Sequence, residues 1–130
     1  MVSGTAIKAI ALGVLFVAAP VAAQSTSPFG EPIREFGGAT LLTRDWMSFR
    51  DYPSAAIRGG AEGRVVVSFD ITAKGRAESC QVQTSSGHGS LDSVPCGLLE
   101  RKARFRPPAD ANGAPSPVKA IMSVDFWMPR

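Results

Sequence analysis

The chain has 130 residues, 45% of them hydrophobic and 19% charged, with 14 Lys and Arg against 11 Asp and Glu, one His and two Cys. That length suits one domain and not two, and a formal net charge of +3, to which Lys8 at the N-terminus contributes, gives no footing for nucleic acid or an anionic membrane as partner. Two cysteines and one histidine do not make four metal ligands. No phosphate-binding loop or cofactor fingerprint is present either, so no metal, cofactor or small-molecule substrate is expected.

Residues 1–23 read as a signal peptide. Lys8 supplies a positive n-region, Ala9 to Ala19 is apolar, and Val21-Ala22-Ala23 before Gln24 has the small residues that signal peptidase requires, which predicts cleavage after Ala23. A retained inner-membrane anchor is the alternative. A spanning helix needs about 20 apolar residues, whereas this run is bounded by Lys8 and Pro20. Export places the chain in the periplasm, where an even cysteine pair points to a disulfide between Cys80 and Cys96. A redox pair is the rival reading, but redox motifs set their cysteines two residues apart with a base nearby.

Residues 24–51 are predicted to be a flexible leader. Pro28, Gly30, Pro32, Gly37 and Gly38 break its first part, where little structure is expected. Leu41, Leu42, Trp46, Met47 and Phe49 make the second part more apolar, and Trp46 is expected to lie against the folded domain. Residues 52–130 form that domain. Ser54 to Arg58 predicts a short helix, begun by Pro53 and ended by Gly59-Gly60. Val65, Val67, Phe69 and Ile71 alternate with Arg64, Val66, Ser68 and Asp70 as a half-buried strand. Ala73-Lys74-Gly75 turns the chain into a second strand, Arg76 to Ser85, with Cys80 and Val82 on one face. Leu91, Val94, Leu98, Leu99 and Ala103 then have helical spacing, and Pro95 requires the helix to begin near Leu91 or Asp92. Arg101, Lys102 and Arg104 fall in its last turn, where cations complement the helix dipole. After a loop from Ala109 to Pro117, Val118 to Trp127 alternates as a third strand. The predicted fold is an α+β layer, a three-stranded antiparallel sheet with two helices on one face.

Tyr52-Pro53, Glu62-Gly63-Arg64-Val65-Val66-Val67-Ser68-Phe69-Asp70-Ile71, Lys74-Gly75-Arg76, Ser85-Ser86-Gly87-His88, Leu91-Asp92 and Arg104-Phe105-Arg106-Pro107 together resemble, in order and spacing, the TonB C-terminal domain family. Each piece alone is common; the ordered set is specific. The cysteine pair departs from the founding pattern and looks like a cysteine-bearing branch. The resemblance implies binding by strand addition, in which an edge strand pairs with a short extended segment of an outer-membrane receptor or other envelope protein. By the same resemblance the edge is the third strand, Lys119, Ala120, Ile121, Met122, Ser123, Val124 and Asp125. A homodimer formed through that edge is the competing outcome. Transducing members of the family resemble anchored proteins with a long proline-rich spacer, whereas the leader here spans at most about 100 Å fully stretched. A periplasmic binding module is therefore expected ahead of an anchored energy transducer.

His88, with Ser85, Ser86, Ser90 and Asp92 around it, is the one group that invites a catalytic reading. A nucleophilic triad needs its base and nucleophile on a rigid frame beside an oxyanion site. These residues share a single loop with no nucleophile elbow, and no enzyme activity is expected.

Overall fold

The alternation of Gly63 to Ile71 becomes a nine-residue strand whose Val65, Val67, Phe69 and Ile71 are all buried. The computed structural model describes residues 27–129, and the expected signal peptide, residues 1–23, with its expected cleavage point lies outside them. Contacts divide the chain into a unit ending at Glu31 and another running from Pro32 to Arg130. In the described part of the first, the Phe29 amide donates to Ser27 Oγ at 3.2 Å. Among the described residues, the helices and strands lie in the second. In chain order it comprises β1 (Arg34–Glu35), β2 (Thr40–Leu41), a 3-10 turn (Phe49–Asp51), α1 (Ser54–Arg58), β3 (Gly63–Ile71), β4 (Ala77–Thr84), α2 (Gly89–Asp92), α3 (Val94–Lys102), β5 (Phe105–Arg106) and β6 (Val118–Phe126).

The class is α+β, and every strand pairing is antiparallel. The main sheet has four strands, in the order β1-β6-β3-β4, and β2 with β5 makes a second sheet. This corrects the three-stranded prediction. The fourth strand comes from the leader, where two residues between Pro32 and Gly37-Gly38 are too few to show a period and extend because an open strand edge supplies their partners. The leader is also anchored further on. Trp46 is 7% exposed and belongs to the core, and Ser48 and Asp51 cap the 3-10 turn reciprocally.

Helices and sheet share one core. Tyr52, Ala56, Leu91, Leu98, Leu99 and Ala103 pack with the inward residues of β3 and with Ala120, Met122, Val124 and Phe126 of β6. Tyr52 sets its ring edge-on to Phe126 at 5.3 Å and donates its hydroxyl to the Ala61 carbonyl; burial, then the charge of Glu62, raise its pKa. The predicted second helix is two pieces, α2 and α3, divided at Ser93. Pro95 explains the break, because it has no N–H to donate to Leu91 and must sit in a first turn. Arg101 and Lys102 lie in the last turn of α3 as expected. Arg104 caps that end by donating to the carbonyls of Arg101 and Ala103 at 3.3 and 2.9 Å.

β4 departs from a regular strand. Its register against β3 slips between Ser68/Gln81 and Asp70/Glu78, leaving Ser79 and Cys80 opposite Phe69, and Ser79 takes a left-handed φ of 55°. This is a β-bulge. Cys80 is half-buried beside α3, whereas Val82, expected on the same face as Cys80, is 41% exposed.

Candidate partner-binding edge

β6 lies between β1 and β3, and its two sets of backbone groups face different strands. It pairs with β3 over its whole length, from Gly63 opposite Phe126 to Ile71 opposite Val118. The Ser123 amide points the other way and donates to the Ile33 carbonyl at 2.9 Å. Because strand geometry repeats every two residues, the backbone groups of Lys119, Ile121, Ser123 and Asp125 share that direction. Those of Ala120, Met122 and Val124 turn toward β3.

The side chains follow the same period. Ala120, Met122 and Val124 face the core, with exposures of 5%, 2% and 7%. On the opposite face, Lys119 Nζ lies 2.9 Å from Asp70 Oδ1, an exposed pair whose strength water and salt reduce. Asp125 accepts two bonds from Arg64, Nε to Oδ1 at 2.7 Å and Nη2 to Oδ2 at 3.0 Å. Hydrogen bonding to Asp125 raises the guanidinium's pKa against the opposing effect of burial. Between these pairs Ile121 is half-buried, and Ser123 is the one buried polar residue of the strand at 6% exposure. Its Oγ accepts the Ile33 amide at 2.8 Å.

All seven predicted edge residues therefore lie in one strand, but that strand is not bare. Arg34 sits opposite Met122 and Glu35 opposite Ile121. Gly37 follows against Lys119 and Val118, so closely that an added Cβ would stand 2.9 Å from the Lys119 carbonyl oxygen and 2.9 Å from Val118 Cβ. In the sequence, Ile33, Arg34, Glu35, Phe36 and Gly37 fall within the expected flexible leader, residues 24–51. Their signal is faint: a run bounded by Pro32 and Gly37-Gly38 in which Ile33 and Phe36 are the apolar members.

A family model for the Gram-negative bacterial TonB protein C-terminal matches residues 50–128. The chain belongs to that family. It is also similar to the solution NMR structure of the Pseudomonas aeruginosa TonB CTD, with 29% identity and a TM-score of 0.58, over 72% of this chain and 90% of that one. No curated protein matches it. Membership supports a role in TonB-dependent transport and receptor interaction, and the TonB C-terminal domain is a periplasmic domain of a Gram-negative envelope protein. The family's work is energy transduction and protein interaction, not catalysis. Among the described residues, no helix is long and apolar enough to cross a membrane.

The two other sequence-flagged groups have structural roles. Cys80 and Cys96 form a disulfide that ties β4 to α3, with Cα atoms 5.4 Å apart. Asp92 closes the Ser85–His88 loop by accepting from Ser85 Oγ at 2.5 Å, Ser86 N at 2.9 Å and Ser86 Oγ at 2.7 Å. Burial pushes its carboxyl up, but these bonds and the nearby His88 outweigh it, and the net shift is downward. Both serine hydroxyls point at a carboxylate and not at the imidazole. Among the described residues no three His, Cys, Asp or Glu side chains gather as a metal site.

Proposed function

We propose that this chain is a periplasmic protein-binding module that adds an extended segment of an outer-membrane receptor, or of another envelope protein, to the edge formed by Lys119–Asp125. Family membership supports the class of partner. The observation that carries the choice of edge is that β6 already holds an extended segment there, in antiparallel register, with Ser123 donating to a main-chain carbonyl. Backbone bonds of that kind supply affinity to any strand in the same place, and the outward side chains around Ile121 supply selectivity.

The test is capture by synthetic plug peptides of TonB-dependent receptors. Ile121→Pro and Ser123→Pro remove amides that face away from β3 and leave the amides of the β3 ladder in place. Each should abolish capture while the chain stays folded, as judged by the near-ultraviolet signal of buried Trp46 and Tyr52. Undiminished capture by both variants would reject this edge. A photoreactive residue at position 121 should crosslink to the receptor in cells and so identify it.

A further inference from the structure

Resting on that reading of the edge, we infer that Ile33–Gly37 acts as an intramolecular stand-in for the partner strand, occupying the acceptor positions of β6 until a partner replaces it. The overlap is direct, since Arg34 and Glu35 pair with Met122 and Ile121, and Ile33 exchanges bonds with Ser123. These are the central positions of the proposed acceptor edge. No second strand can bind there while the leader stays.

The hold of the leader is small beside that of the other neighbour. β3 pairs with β6 through nine residues, β1 through two. Arg34 and Glu35 are both exposed, and β1 is the terminal strand of its sheet. What fixes it lies at its ends. Ile33 bonds to Ser123, Phe36 sets its ring edge-on to Phe105 at 5.5 Å, and Gly37 leaves the edge at a left-handed φ of 63°. Segments with few buried contacts open without global unfolding. The chain beyond Gly37 continues into β2, which pairs with β5, so a released segment stays tethered and competes at high effective concentration. A partner is thus admitted only if it outbids a strand that is always present.

Amide hydrogen exchange, followed by NMR on the folded protein, reads the opening without any partner. The amides of Ile121 and Ser123, which face β1, should exchange at least about tenfold faster than those of Met122 and Val124, which face β3. Gly37→Val forces a β-branched residue into a left-handed conformation and into contact with Lys119 and Val118. It should speed the first pair about tenfold further and leave the second pair unchanged. The same variant should bind a receptor plug peptide more tightly, by a factor no larger than the reciprocal of the wild-type open fraction. Should Gly37→Val fold poorly, Ile33→Pro serves instead, because it removes the amide that donates to Ser123 Oγ. Equal protection of the two amide pairs would overturn the inference. So would a peptide that crosslinks at position 121 with equal affinity in wild type and variant, an outcome that leaves the edge reading standing. Absence of any crosslink at position 121 in both proteins would reject the edge itself and this inference with it.

Discussion

Replacing Gly75 with alanine probes how the β3–β4 turn is locked to the second sheet. Gly75 has φ +83°, and an added Cβ would lie 2.1 Å from the carbonyl oxygen of Phe105, while its own carbonyl accepts the Phe105 amide at 2.9 Å. The left-handed conformation costs alanine about 1–2 kcal/mol. The clash adds more, because the obstructing atom is backbone and cannot swing aside. Phe105 is 3% exposed and packs against the rings of Phe36 and Phe69, with centroids 5.5 and 5.7 Å away. Pushing it back disturbs that packing and the hydrogen bond for about 2 kcal/mol more. The total of about 3–4 kcal/mol is a large share of the 5–15 kcal/mol typical of a domain. Gly60→Ala is the control, since Gly60 has φ +69° and nothing within 4 Å of the added carbon; it should cost about 1 kcal/mol. Urea unfolding followed by circular dichroism separates the two. At a slope of about 1–1.5 kcal/mol per molar urea, the midpoint should fall by roughly 2–4 M for Gly75→Ala and by no more than about 1 M for Gly60→Ala. Equal shifts would mean that β5 yields freely to the turn and that the steric argument is wrong.

The disulfide should appear in the exported protein as a mass consistent with no free thiol, and two free thiols under non-reducing conditions would contradict it. Replacing both cysteines with serine should lower stability by about 3 kcal/mol, from the loop closed between positions 16 residues apart. Asp92→Asn should destabilise the domain at neutral pH, and the deficit should close in acid. A carboxyl held below its ordinary value of 3.8 contributes stability above that pH and loses it as pH falls through the lowered value. Unfolding curves across that range check both the sign and the window. Edman sequencing of the periplasmic form should begin at Gln24, and a start at Met1 would favour an anchored protein.

Legibility in the sequence tracked how much each element decides for itself. β3 and β6 declare themselves because nine-residue strands buried on one face must alternate, and α1 is framed by Pro53 and Gly59-Gly60. β1, β2 and β5 are two residues each, below any period, and exist because another strand presents unpaired amides and carbonyls. The bulge at Ser79 and Cys80 was hidden for a related reason. A one-residue slip against β3 depends on where α3 holds Cys96, which local sequence does not report. The strand that carries the seven proposed edge residues was legible through its alternation; the leader segment that pairs with it was not.

The two outer margins of the main sheet are closed by different physics, and the contrast bears on which one can take a partner. At β4 the margin is bent by the bulge, its Cys80 amide donates to Glu100 Oε2 at 3.1 Å, and the disulfide fixes Cys80 to the helix that carries Glu100. A bulge and a satisfied donor are standard protections of an exposed edge, and here a covalent bond makes them permanent. Opening that margin would require reduction or loss of packing between α3 and the sheet. At β6 the cover is a two-residue strand joined through Gly37-Gly38 to the rest of the leader, with no covalent tie to the edge it covers. Both arrangements suppress uncontrolled pairing, but only the second can be reversed while the core stays intact. Reduction should therefore loosen the β4 side and leave the exchange of Ser123 unchanged, whereas Gly37→Val should do the opposite.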